Sequence, residues 1–458
     1  MALLNSLWSS DASFFSSLGA GALAALSPEP AFLRISAMSS SFSPITANTE
    51  FSDIEEDIKK KKKKSFLQKA KKYGKKGQFG RGHNIDATTY NYFVQVLANL
   101  DKKDVFEDDD AKEIFVANVF ASNVEEEDKL CCNQLVSRVF EKLLPLAPHH
   151  VKLRLMNKMG EDLRIFVTNP FASHVLETLL ILASFKQSTD QDADSSEKKE
   201  WTFKVAKYGL NNFNEFAQDQ YANHVLRRIL NCVAGTSLSD DILKSKRSQA
   251  QNQSNLDLTK IQTEESVFAD FAADKETVNE ILTLAFKKIE DHENIRELCQ
   301  NDISSGFIQT LLLVLSKKPD TIKLCKKLAK LITNEVYGSE VDLSSILENQ
   351  PLCRLLETLL QVSGSDQTMA KIFNHFHEKL FKDQLLKLSL HPTGNFCVQK
   401  YFQNIPKKET FEEVYEKELD AGLESIYESG HYGVILSIAQ ACRRLCGKQA
   451  HFIVVRKL

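Results

Sequence analysis

Five times along the chain a small residue, mostly Ser or Asn, is followed by a flat or cationic side chain and, four residues on, by Glu, Gln or Arg, and two further copies keep the frame with parts of the set lost. The sets are Ser137/Arg138/Glu141, Ser173/His174/Glu177, Asn223/His224/Arg227, Ser305/Gly306/Gln309, Cys353/Arg354/Glu357, Asn395/Phe396/Gln399 and, much eroded, Val434/Ile435/Ile438. With the first residue of each set called i, the chemistry at hand is recognition rather than bond making. The i and i+4 side chains suit the Watson–Crick edge of an unpaired base, and the i+1 side chain suits stacking between neighbouring bases, which is how single-stranded RNA is recognised.

The elements that must carry these residues follow from their surroundings. Each set sits in one frame: NQLVSRVFE at Asn133, NPFASHVLE at Asn169, DQYANHVLR at Asp219, NDISSGFIQ at Asn301, NQPLCRLLE at Asn349, HPTGNFCVQ at His391 and GHYGVILSI at Gly430. The polar first residue is expected to cap a helix. At about 100° per residue, i, i+1 and i+4 share one narrow face, while the apolar positions i+2, i+3, i+6 and i+7 fall on the other. The steps between successive i positions are 36, 50, 82, 48, 42 and 39 residues. Apart from the 82, this is a helical repeat with a unit in the high thirties, so the expected fold is all-α, a solenoid in which each unit buries its apolar face on the next.

The formal net charge of the 458 residues is −3 (58 basic, 61 acidic), but it is unevenly placed. Residues 59–82, KKKKKKSFLQKAKKYGKKGQFGRG, hold 12 basic residues and no acid, and residues 1–58 hold one basic residue against seven acids. That leaves 45 basic and 54 acidic residues in 83–458, a net of −9. A nucleic-acid site on the folded body must then be a local strip, and the acidic balance argues against strong sequence-blind phosphate binding by that body as a whole. Three domains are expected: a disordered extension at 1–58, a basic low-complexity arm at 59–82 suited to nuclear import and phosphate contact, and the repeat array at 83–458. The extension lacks the basic start of a secretory signal, and Met38 is an alternative initiator. Asp86 is expected to cap the first helix. Helical stretches are expected at Ala111–Val124, Lys129–Ala147, Val151–Val167, Trp201–Ala217 and Val267–Cys299, with a polar insertion at Lys186–Glu200 and a disordered linker at about 236–265. The chain stops inside the apolar HFIVVRKL, which suggests missing C-terminal repeats. Nine scattered cysteines without CxxC spacing point to buried reduced thiols, and no apolar run spans a bilayer.

The triplets in the second helix of each unit resemble the Pumilio (PUF) repeat family, and LHPTGNFCVQ (Leu390–Gln399) and ESGHYGVILSIAQACRRL (Glu428–Leu445) resemble its nucleolar branch. The resemblance implies a curved array gripping RNA on its concave side. By the same resemblance Ser137/Arg138/Glu141 and Ser173/His174/Glu177 are guanine-reading sets and Asn395/Phe396/Gln399 is a uracil-reading set. Cys353/Arg354/Glu357 fits a purine. Asn223/His224/Arg227 departs at Arg227, which suits phosphate as well, and Ser305/Gly306/Gln309 has lost its stacker. Members of that branch are nucleolar pre-ribosomal RNA binders required for small-subunit ribosomal RNA maturation. The implied partners are pre-ribosomal RNA and assembly factors, with no membrane and a monomeric state. The alternatives are a cytoplasmic Pumilio messenger-RNA regulator and a HEAT- or armadillo-like protein scaffold. An enzyme is not expected. His149-His150 and His375-x-His377 lack partners at metal spacing, no phosphate loop or nucleophile motif is present, and no metal or cofactor is implied.

Overall fold

The structure, a computed structural model, describes residues 79–100, 102, 105–184, 192–235, 274–338, 343–365 and 367–446. The extension 1–58, most of the arm, the linker at 236–265 and the apolar stretch at 451–458 lie outside the described residues. All regular elements described are helical.

The seven frames form seven helices, labelled α1 (Gln134–Leu143), α2 (Ala172–Ala183), α3 (Ala222–Ala234), α4 (Ser304–Ser316), α5 (Gln350–Ser365), α6 (Gly394–Asn404) and α7 (Tyr432–Cys446). Each packs directly on the next, from α1 to α7. Across the 82-residue step α3 and α4 are direct neighbours in the row. A second row of helices backs the first, and its members from His149–Glu161 through Asp192–Asn211, Lys275–Glu290 and Ile322–Val336 to Ala370–Phe376 also stack in chain order. The core between the rows is Leu, Ile, Val and Phe from the i+2, i+3, i+6 and i+7 positions, such as Val139, Phe140, Leu143 and Leu144. This is an α-solenoid, as the repeat spacing predicts.

Ala111–Val124 is one helix, Asp109–Ala121, that ends early, and the other expected helical stretches are interrupted. A short helix stands between the outer helix and the frame helix of every unit: Glu127–Cys131, Leu163–Thr168, Phe213–Phe216, Ile295–Gln300, Leu343–Glu348, Leu385–Leu390 and Leu423–Glu428. Val151–Val167 breaks at Asp162, whose φ of −133° and ψ of 66° are not helical. Lys129–Ala147 breaks at Asn133, which is extended and caps α1. Asn133 offers its side chain to the backbone in competition with the helix, so there the apolar periodicity runs through a break that hydrogen bonding makes. The expected insertion Lys186–Glu200 is in part the first turns of Asp192–Asn211.

The N-terminal boundary also moves. Phe79–Gly82, the end of the expected arm, is folded: Phe79 bridges to Ile85 and Gly82 to Asn133. Asn133 is fully buried, donates from Nδ2 to the carbonyls of Phe79 (3.3 Å) and His83 (2.7 Å), and accepts from Leu135 and Val136 N–H. Gly82, at φ +84°, passes so close to the Cys132 carbonyl and the Phe171 ring that a Cβ would stand within 2.8 Å of both. The next helix, Ala87–Leu100, starts at the expected cap. Asp86 Oδ1 accepts from Thr88 N–H at 2.7 Å and Thr89 N–H at 2.9 Å. Asp86→Ala should lower stability by about 1 kcal/mol, the usual worth of such a cap, in denaturant unfolding.

Candidate nucleic-acid interface

The first residue of six frames caps the turn that carries the site. Asn133, Asn169, Asp219, Asn301, Asn349 and His391 each accept from backbone N–H groups two or three residues ahead, at 2.7–3.3 Å. In the same six frames the N–H of position i donates to the carbonyl of the capping residue. Residue type thus fixes backbone geometry, and backbone geometry puts the triplets in register.

Within that register the three positions differ in depth. Position i lies inside: Ser137, Ser173, Asn223, Ser305, Cys353 and Asn395 are all buried. Their polar atoms turn to nearby backbone or along the helix. Asn223 Nδ2 donates to the Ala217 carbonyl at 2.9 Å, Cys353 Sγ to that of Ile346 at 3.2 Å, and Asn395 Nδ2 to those of His391 at 3.0 Å and Pro392 at 2.8 Å. Position i+1 faces out. His174 and Arg354 are exposed, Phe396 is 53% exposed, and Arg138 and His224 are half-buried. Position i+4 stands behind it, and in two frames i orients it: Gln309 Nε2 donates to Ser305 Oγ at 2.9 Å and Gln399 Nε2 to Asn395 Oδ1 at 3.0 Å.

Charges are set across neighbouring helices. Glu177 on α2 is held by Arg228 on α3, with Nε at 3.3 Å and Nη2 at 3.2 Å from Oε2, while His174 Nδ1 lies 3.7 Å from Oε1. Burial pushes the Glu141 carboxyl up to about 7; Glu177 adds to this, and His174 and Arg138 oppose it. Burial does the same to Glu357, also to about 7, opposed by Lys400 and Arg354. A folded state that favours the protonated acid draws stability from it below the ordinary value near 4.5, and that stability is lost as pH climbs through 7. His224 is pulled down, first by burial.

Arg227 is buried, and its guanidinium lies over Gly306: a Cβ on that glycine would stand 3.0 Å from Nη1 and 3.2 Å from Cζ. Its Nε donates to Thr310 Oγ1 at 3.3 Å. Arg228 and Lys400, both at i+5, are not legible in the sequence, because a partner one helix away leaves no trace in the spacing of a single helix.

The seventh frame is displaced by one residue. Gly430, at φ +78°, ends the short helix Leu423–Glu428, so the frame starts at His431 and not at Gly430. Val434 is then buried in the place of Gly394, and Leu436, 52% exposed, stands where Phe396 stands one unit earlier. The triplet becomes Ile435/Leu436/Ala439, still without hydrogen-bonding side chains.

All nine cysteines are free thiols, seven buried and two partly so. Among the described residues no group of His, Cys, Asp and Glu is placed to hold a metal, and no helix is long and apolar enough to cross a membrane.

Comparison with known proteins agrees with this architecture. Nucleolar protein 9 of Homo sapiens is 25% identical over 383 residues, covering 80% of this chain and 57% of that protein. Nucleolar protein 9 of Botryotinia fuckeliana is 23% identical over 398 residues, covering 77% of this chain and 48% of that protein. The chain thus spans about half the length of these curated relatives. Among solved structures, that of APUM23-GGAGUUGACGG shares the fold at a TM-score of 0.54 and 19% identity, over 81% of this chain and 66% of that one. The family model of the NOP9-like PUF repeat domain matches residues 125–456, which includes all seven frame helices, and the chain belongs to that family.

Proposed function

We propose that this chain is a non-catalytic RNA-binding protein of the nucleolus that holds pre-ribosomal RNA along the α1–α7 row and supports maturation of small-subunit ribosomal RNA. The carrying observation is the row itself: outward Arg138, His174, His224, Arg354 and Phe396 in one register, each backed by a capped turn and an i+4 side chain. A protein-binding scaffold of stacked helices has no use for that register. The relatives' name, Nucleolar protein 9, supports the nucleolar placement, and the RNA named with the APUM23 structure supports the ligand class. The reading sets are those expected from the sequence, with position i acting from inside and, at Ser305 and Asn395, orienting i+4. The partners are single-stranded or structured pre-ribosomal RNA and assembly factors, and the chain acts as a monomer. The basic arm serves import and phosphate contact.

Crosslinking and sequencing of RNA bound to the tagged chain in cells tests this. Reads concentrated on the small-subunit precursor are expected. Reads on messenger-RNA untranslated regions would favour the cytoplasmic regulator, and their absence would favour a scaffold.

Glu141 gives a second test. As a carboxylate it accepts from both N1–H and N2–H₂ of guanine, whereas the neutral acid offers a donor in place of one acceptor. With its carboxyl at about 7, preference for guanine at the first unit should grow between pH 6 and pH 8. Titrations with guanine- and adenine-substituted RNA should show that rise in the wild type and a flat response in Glu141→Gln. A pH-independent preference in both counts against Glu141 as the reader.

A further inference from the structure

We propose that the outer helix of the fifth unit, Ile322–Val336, is a second nucleic-acid contact, which grips the phosphodiester backbone of double-stranded RNA through Lys323, Lys326, Lys327 and Lys330. The helix buries Cys325, Leu328, Ala329, Ile332, Thr333 and Val336 against its neighbours. The four lysines are left at i, i+3, i+4 and i+7, within one 100° arc, and all four are exposed. Among the described residues none of them has an ion-pair or hydrogen-bond partner.

That arrangement is unlike the rest of the body. Residues 83–458 carry 45 basic and 54 acidic residues, a net of −9. Elsewhere several outer-row cations are matched with acids: Lys382 with Glu378, Lys408 with Glu412 and Lys417 with Glu413 at i,i+4, and Lys207 with Glu280 between adjacent outer helices. In Ile322–Val336 the i,i+4 neighbours are Lys323 with Lys327 and Lys326 with Lys330, two like-charge pairs that oppose helix formation. The arc continues to Asn334 without an acid. A solvated face has no need of that repulsion, and a bound polyanion removes it.

The kind of polyanion follows from the side chains and their place. Lysine is a point charge without the planar fork that recognises carboxylates or bases, so the stripe contacts phosphate without reading sequence. It stretches about 10 Å along the helix axis at 1.5 Å per residue, enough to meet more than one phosphate. The helix belongs to the outer row, so a strand lying on the α1–α7 row does not occupy the stripe. A paired segment, whose base edges are hidden and whose backbone is regular, suits it. The proposal does not depend on which bases the frame helices read.

The test uses the full chain and two probes, a blunt 20-base-pair RNA duplex and a single-stranded RNA. The variant replaces Lys323, Lys326, Lys327 and Lys330 by Gln. Duplex affinity is expected to fall at least about 10-fold near 100 mM salt, and the log–log salt slope by about 2–4, close to 0.9 for each phosphate no longer neutralised. Single-stranded binding should stay within about twofold, and the melting midpoint should not fall, because two repulsive pairs are gone. Single Lys→Gln variants should each remove about one unit of slope, which keeps the test open if the quadruple variant misfolds. Equal duplex affinity and slope in wild type and variant would overturn the proposal. Displacement of the duplex by poly-glutamate at equal charge would overturn it too, in favour of an acidic protein partner. Loss of single-stranded binding in the wild type would instead strike the function proposed for the frame helices.

Discussion

Replacing Arg138 and His174 together by alanine should weaken single-stranded RNA binding by about 2–6 kcal/mol, roughly 30-fold to 10⁴-fold in affinity. Each stacked base is worth about 1–3 kcal/mol by alanine substitution, and two adjacent units lose their platform at once. The structure makes this a clean deletion. His174 is exposed, Arg138 is half-buried, and the fold's core lies on the opposite side of α1 and α2. Stability should therefore move little in a thermal melt, as for most surface substitutions. One consequence is electrostatic: Arg138 and His174 both oppose the upward push on Glu141, so the double variant drives that carboxyl further toward the neutral acid. Fluorescence titration of a labelled RNA on the full chain, near 150 mM salt so that the basic arm contributes little, measures the loss. Wild-type affinity in the double variant would remove the α1–α7 row as the RNA site.

Much of this architecture is written locally. Asn133, Asn169, Asp219, Asn301 and Asn349 are caps because their side chains reach back to the turn that follows, and that interaction needs no distant partner. The apolar rhythm behind them sets which face is buried, and the spacing sets the unit. What stays hidden depends on a second element. Position i looks outward on an isolated helical wheel, yet Asn223 and Cys353 turn inward because a short helix just before the frame presents the Ala217 and Ile346 carbonyls. Arg228 reaches Glu177 only because α3 lies beside α2. Phe79–Gly82 reads as tail because glycine and arginine dominate it, and only the two bonds from Asn133 and the positive φ of Gly80 and Gly82 give those glycines a purpose. In the seventh unit one glycine, Gly430, reads as the start of a frame when it is the stop of the helix before.

The fourth unit shows how an apparent erosion can be a substitution made from next door. Gly306 stands where other units hold an outward stacker, and the Arg227 guanidinium lies in the space its side chain would fill. Arg227 is in turn the residue that departs from Gln in the third triplet, so the two irregularities are one packing arrangement: the long side chain of unit three fills the place left empty in unit four. Gly306→His in the wild type should cost about 1–3 kcal/mol, as overpacking against the buried guanidinium does, because its Cβ alone would sit 3.0 Å from Nη1. Arg227→Gln should cost about 1–2 kcal/mol, because it removes the bond to Thr310 and the packing over Gly306. Together they should cost less than their sum by about 1–2 kcal/mol, since the shorter amide frees the space the imidazole needs. The double variant also carries Asn223 and His224 with Gln at the fourth place after Asn223, so the third unit should gain a preference for one base that the wild type lacks. Denaturant unfolding of the four proteins and an RNA panel varied at that one base measure both effects. Additive stabilities within about 0.5 kcal/mol, or a base preference already present in the wild type, would mean that Arg227 and Gly306 are independent and that the fourth unit has simply lost its stacker.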